Sequence, residues 1–361
     1  MKETSANFQG KKPAMFYVTL VLTSFLVWIA LWSFFGKTVT GFVIFQWPIP
    51  FIWVGWFGAF LMAMGRFWGW NDDDLPVELF LPLLMMVSGA WQSFMLHHAG
   101  HPPSVDEMLL AFDRIFGYPE YFLGRMFSSA PVIQVVAKAV YVMLVMPAVV
   151  VYLALRDGRL RRRLCASFAL MGLSGAIFYH FCPAAGPIYV FRDYPWTVPT
   201  STPEVKFIPH LVFNAVPSLH MAMAMLALLY SRYCSRLCQA FGWVCLVLTV
   251  LVTLGLGEHY VIDLILGVPF IVAIDSVWDR RLRRKAYGCF LLLLVWEFAL
   301  CHGLALQVPT PVGLLLCCIT LAVPFAPIGP GSDSSIKQVS ALTFKCLKWL
   351  GRHRLLVVEN R

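Results

Sequence analysis

Two short stretches hold the residue types that acid–base and nucleophilic chemistry require. They are Pro217-Ser218-Leu219-His220 and Glu258-His259-Tyr260-Val261-Ile262-Asp263. His259 and Asp263 stand at i and i+4, the spacing of one helix face. A carboxylate so placed accepts the proton of one imidazole nitrogen. That fixes the tautomer and leaves the other nitrogen bare as a nucleophile or base. His220 supplies a second imidazole, able to donate a proton to a leaving group. Two imidazoles and one carboxylate, with no metal quartet, suit phosphoryl transfer through a phosphohistidine. Pro217 fits the first turn of a helix. The free amides of that turn, with the Ser218 hydroxyl, make an anion site.

These residues sit in a very apolar chain. Of its 361 residues, 59% are hydrophobic and 13% charged, with a mean hydropathy of +0.73. A soluble domain is nearer half apolar and a quarter charged. The composition excludes a soluble enzyme, a disordered scaffold and a secreted disulfide miniprotein. Ten stretches have the length and apolarity of membrane-spanning helices: 14–35, 42–64, 79–96, 131–155, 164–182, 211–231, 237–256, 259–277, 286–306 and 309–328. With the N-terminus inside and strict alternation, 22 of the 28 basic residues fall in inner segments and five in outer ones. Lys138 lies within a span. This asymmetry follows the positive-inside rule, so the net charge of +9 orients the protein rather than binding nucleic acid. Both termini are then cytoplasmic, and the basic tail from about residue 329 lies on the inner surface. The two motifs open the sixth and eighth spans at the same outer depth. The 39 residues between His220 and His259 are the length of two spans and a tight turn. A lone intramembrane His or Asp often only satisfies a packing partner. Three ionisable groups at one depth favour the functional reading.

The 217–220 motif and His259-x-x-x-Asp263 resemble the second and third signature motifs of the type-2 phosphatidic acid phosphatase superfamily. The P-S-L-H form with H-Y-x-x-D is most similar to the inositol phosphorylceramide synthase (inositolphosphotransferase) branch. The resemblance covers about 164–277. It implies a polytopic all-α membrane protein of about ten transmembrane helices around a six-helix core, with its site at the outer leaflet facing periplasm, exterior or lumen. By that resemblance His259 is the nucleophile, Asp263 its orienter and His220 the acid/base. The chain departs from the phosphatase-type pattern in two places. It has no K-x6-R-P motif, and Thr253 stands where those members carry an arginine six residues before the nucleophilic histidine. The segment 182–187 (C-P-A-A-G-P) stands where a first motif could be replaced.

A phosphate still needs positive charge. Arg192 and Lys206, in the outer loop leading to His220, are the candidate ligands, with His210 behind them and Ser218 at the helix start. His180 either faces the site or packs. His97, His98 and His101 form an outer cluster with no carboxylate or cysteine to complete a metal set, so no metal and no cofactor are expected. The ten cysteines are not a disulfide framework; Cys182 and Cys301 are the only pair near the outer face. Glu297 lies mid-depth in the ninth span, where a carboxyl needs a polar partner.

The chain divides into a two-span extension (1–78), a catalytic helical core (79–285) and a second two-span extension with the basic tail (286–361). The first functional reading is a lipid phosphotransferase taking a phospholipid donor and a hydroxyl-bearing lipid or polyol acceptor. The alternatives are a lipid phosphate phosphatase using the same residues with water, and a transporter or flippase. The last lacks the internal repeat and midplane broken helices common in transporters.

Overall fold

The structure, a computed structural model, describes residues 105–144, 146–197 and 213–326. The candidate spans 14–35, 42–64 and 79–96, the His97-His98-His101 cluster, Lys206, His210 and the basic tail lie outside the described residues. Every element among the described residues is helical. In chain order they are α1 (Asp106–Asp113), α2 (Pro119–Ser128), α3 (Pro131–Met143), α4 (Met146–Ala154), α5 (Gly158–Phe181), the single turn α6 (Pro187–Val190), α7 (Leu219–Ser231), α8 (Arg236–Gly255), α9 (Val261–Ser276), α10 (Arg283–Cys301) and α11 (Thr310–Ala322).

Two of these helices, α5 and α8, are long and apolar enough to cross a membrane. A third crossing forms if Pro131–Tyr141 and Met146–Ala154, inclined at 52°, count as one bent span. Of the stretch expected at 211–231, residues 213–218 are not helical and the helix begins at Leu219, so α7 is 13 residues, about 20 Å long. Its start is set by Ser218, whose side chain caps it. Pro217 therefore precedes the cap, and the expectation that it lies in the first turn is corrected. Large apolar side chains face outward, among them Leu237, Val244 and Val247 on α8 and Leu291, Val295 and Phe298 on α10. Such surfaces suit lipid rather than water, and they support a membrane protein.

Helix α7 is the hub. It packs against α4, α5, α8 and α9 and is buried over nearly its whole length. Its alanines and methionines explain this: Ala222, Ala224 and Ala227 let backbones approach, and Met221, Met223 and Met225 fill the remaining space. Gly267 of α9 completes the fit, since a Cβ there would come 2.8 Å from the Ser218 carbonyl oxygen. At the opposite end of the bundle, Asp275 of α9 accepts from Arg163 and Ser167 of α5 and from Tyr230 of α7. One carboxylate thus ties three helices together, far from the histidines.

Candidate active site

His259 and Asp263 come together, but not on one helix face. Helix α9 begins at Val261 with Tyr260 as its N-cap, so His259 lies just before the helix. Asp263, in the first turn, turns back. Its Oδ2 accepts from the Tyr260 amide at 3.1 Å and meets His259 Nδ1 at 3.0 Å. The carboxylate therefore caps the helix and orients the imidazole at once. With Nδ1–H donated to Asp263, the lone pair of His259 resides on Nε2.

Two groups from the start of α7 meet that nitrogen. His220 Nδ1 is 3.1 Å from His259 Nε2, and Ser218 Oγ is 3.3 Å from it. The rings of His220 and His259 meet edge to face at 5.4 Å. The Ser218 amide also donates to the Asp263 carbonyl at 3.1 Å, joining the two motifs by backbone. Ser218 is fully buried, and its oxygen accepts from the Met221 amide at 3.3 Å. Its hydroxyl oxygen is thus occupied as a helix cap. His259 is 3% exposed and Asp263 wholly buried, while His220 is half-buried.

Arg192 is exposed on the turn after α6. His180 is exposed near the end of α5 and meets Phe181 edge to face at 5.3 Å. Thr253 is fully buried and donates to the Thr249 carbonyl. Cys182 and Cys301 are free thiols, and Cys301 donates to the Phe181 carbonyl at 3.4 Å.

Three carboxylates (Asp106, Asp113 and Glu258) and three tyrosines (Tyr141, Tyr189 and Tyr260), whose roles sequence reasoning missed, build the surroundings. Asp113 of α1 accepts from the Val261 and Ile262 amides. It thereby serves the exposed donors at the start of α9, where the helix dipole favours negative charge. Asp106, seven residues earlier, accepts from the Ala185 and Gly186 amides and from the Tyr260 hydroxyl. Gly186, at φ 108°, lies so close to the turn before His259 that a Cβ would come 2.5 Å from the Glu258 carbonyl. Glu258 itself accepts from Tyr189 at 2.8 Å and from Tyr141 at 3.4 Å. The Tyr141 ring in turn lies against His220, with centroids 4.5 Å apart.

Burial dominates the electrostatics of this surround. It raises the Asp113 carboxyl well above the usual range, and nearby Glu120 adds to this. Glu120 is pushed up to about 7 by burial, with Asp263 adding to the rise. Burial also raises Glu258, while Tyr189, His259, Tyr141 and Lys138 pull it down. The spacing Asp106-x6-Asp113, two carboxylates two turns apart in an apolar stretch, was the available signal for the α1 pair.

No curated protein and no solved structure matches the chain. Residues 107–276 match the family model described as the PAP2 superfamily. The matched segment is similar to that superfamily and contains His220, His259, Asp263 and Asp113.

Proposed function

We propose that the protein is an integral membrane lipid phosphotransferase. It moves a phosphoryl-linked headgroup from a donor phospholipid to a hydroxyl of an acceptor lipid or polyol. The observation that carries this reading is the line Asp263–His259–His220, with contacts of 3.0 and 3.1 Å. The match of residues 107–276 to the model of a superfamily of phosphatases and phosphotransferases agrees with it.

In the proposed reaction His259 Nε2 attacks phosphorus. A P–N bond forms and the P–O bond to the leaving alcohol breaks. His220 gives its proton to the departing oxygen. The acceptor hydroxyl then attacks the phosphohistidine, its proton passes to His220, and the P–N bond breaks. Asp263 keeps the His259 proton on Nδ1 throughout and offsets the charge that develops on the ring. Ten spans, cytoplasmic termini, a site at the outer face and a core over 79–285 complete the proposal. The inositolphosphotransferase-like branch is supported by the P-S-L-H form together with H-Y-x-x-D. Arg192, Lys206 and His210 remain the proposed phosphate ligands from the outer loop.

A phosphatase that uses water in the second step is the runner-up, because the superfamily match embraces both reactions. Incubation of the purified protein with a phospholipid labelled in its phosphate separates them. A new labelled phospholipid is the expected product. Free phosphate or free headgroup phosphate as the sole product overturns the transferase reading.

A further inference from the structure

Helix α5 ends at Phe181 with Cys182 as its cap, and Cys301 is the last residue of α10. The two helix ends meet. Cys301 Sγ donates to the Phe181 carbonyl at 3.4 Å, across 120 residues of chain. The Cys182 and Cys301 thiols are hydrogen-bonded to each other. With the Cys301 proton directed at the Phe181 carbonyl, the Cys182 proton is directed at the Cys301 sulfur. Both residues are free thiols, and their access to solvent differs: Cys182 is wholly buried and Cys301 is exposed. A reagent in solution therefore meets Cys301 first, and Cys182 is reached only through Cys301. That is the arrangement of an entry thiol beside a resolving thiol.

The position of the pair gives such a link a consequence. Cys182 opens a segment that is fixed to the histidine site by backbone. The Pro183 carbonyl accepts from the Val105 amide at 2.9 Å, and the Ala184 carbonyl accepts from the Ala215 amide at 2.8 Å. The Ile188 amide donates to the carbonyl of Gly257, two residues before His259, at 3.0 Å. Helix α10 lies outside this framework and packs chiefly along α9. Cys234 and Cys238 also hydrogen-bond to each other. They stand at the other end of the bundle, where Cys234 donates to the carbonyl of Tyr230, the tyrosine bonded to Asp275. The proposed topology puts that end in the cytoplasm, which keeps thiols reduced, and puts Cys182 and Cys301 on the side where disulfides persist.

We propose that Cys182 and Cys301 are an oxidation site, converted by a low-molecular-weight disulfide into an intramolecular disulfide that fastens the end of α10 to the segment supporting the turn before His259. The Cys301 thiolate attacks one sulfur of the oxidant R–S–S–R. A bond from Cys301 to R–S forms, the R–S–S–R bond breaks, and one thiolate leaves. Cys182 then attacks the Cys301 sulfur, the bond between the two cysteines forms, and the second thiolate leaves. The two protons of the protein thiols end on two R–SH molecules. Two cysteines are oxidised and one external disulfide is reduced. The link closes a loop of more than 100 residues and so restricts the unfolded chain.

The test uses the full-length protein in detergent, first reduced, then freed of reductant and incubated with glutathione disulfide. Remaining thiols are blocked with N-ethylmaleimide in denaturant, and peptides are mapped by mass spectrometry without reduction. A peptide pair linked through Cys182 and Cys301 is expected. The melting temperature should rise by about 5 °C or more over the reduced protein, and dithiothreitol should reverse both changes. In Cys182→Ala the glutathione adduct should persist on Cys301. Cys301→Ser, where the exposed side chain leaves the fold intact, should show neither the link nor the rise. A lasting glutathione adduct on Cys301 of the unaltered protein, with Cys182 blocked by maleimide, overturns the proposal. So does a link at Cys234–Cys238 in place of Cys182–Cys301, or no modification of either residue. A link without a rise in melting temperature, or a rise retained in Cys301→Ser, overturns the fastening of α10. Neither readout uses turnover, so the outcome is independent of the reaction proposed above.

Discussion

The Tyr260 hydroxyl donates to Asp106 at 2.8 Å, joining positions 154 residues apart in the chain. Asp106 also accepts from the Ala185 and Gly186 amides, so one buried carboxylate holds the cap of α9 against the loop after α5. Tyr260→Phe leaves the carboxylate two backbone donors, whereas Asp106→Ala strands three donors at once. The tyrosine variant should lose about 1–3 kcal/mol of stability and the aspartate variant clearly more. Thermal unfolding in detergent measures both. Equal losses would show that the two amide contacts add nothing beyond the hydroxyl contact.

Ser218, His259 and Asp263 also have the outline of a serine triad, with 3.3 and 3.0 Å contacts. The burial of Ser218 and its role as a helix cap argue against attack from its oxygen. Ser218→Ala should cost about 1 kcal/mol of stability through the lost cap and retain most turnover. His259→Ala, His220→Ala and Asp263→Ala should each reduce turnover by about 10³ or more. Asp263→Asn should be milder than His259→Ala, because its side-chain oxygen still accepts from the Tyr260 amide. Steady-state turnover of a labelled lipid decides. If Ser218→Ala is as inactive as His259→Ala, the serine is the nucleophile.

Helix contact distance sets the distance between the two motifs. A Cβ on Gly267 would come 2.8 Å from the Ser218 oxygen and 2.9 Å from the Met221 Cβ. Gly267→Ala should push the start of α7 away and lower turnover sharply, at a stability cost of about 1–3 kcal/mol. Gly288→Ala on α10 is the control, since a Cβ there meets open space. It should leave turnover unchanged and stabilise the helix by up to about 1 kcal/mol. Parallel assays of the two variants check this, and an active Gly267→Ala protein would refute the packing argument.

Glu120 is fully buried, with both side-chain oxygens lacking a hydrogen-bond partner, and is pushed up from 4.5 to about 7, chiefly by that burial. Its folded form therefore binds a proton that the unfolded chain releases. Stability is greatest below about pH 4.5 from this group and falls as pH rises toward 7, by up to about 1.4 kcal/mol per pH unit. The neighbouring Asp113, also raised, acts in the same direction. Glu120→Gln should flatten the profile across that window and stabilise the protein above pH 7. Melting temperature against pH, compared between the two proteins, provides the measurement. An unchanged slope would place the effect elsewhere.

Much of the site was legible in the sequence because its members lie within two short motifs. Spacing alone brought His220, His259 and Asp263 to one depth, and in the structure they touch. The detail was less accessible. An i,i+4 pair reads as one helix face, yet α9 starts two residues after His259, because Asp263 satisfies the Tyr260 amide and begins the helix there. Pro217 reads as a first-turn residue, yet Ser218 takes the cap. Asp106, Asp113, Tyr141 and Glu258 were missed for a different reason. Their roles depend on contacts between positions 69 to 154 residues apart, such as Asp113 with Val261 and Tyr141 with Glu258. No local period encodes them. Hydropathy treated Lys138 as a span residue, although it lines a cavity with Glu258.

The capping of α9 by Asp113 bears on how the chemistry could be moved to another protein. Helix α7, helix α9 and the turn leading into α9 contain all three proposed catalytic residues, but the first amides of α9 are bonded by a carboxylate from α1. A graft of residues 213–277 alone would carry the histidines without the group that fixes their starting turn. The smallest transplantable unit therefore begins at α1.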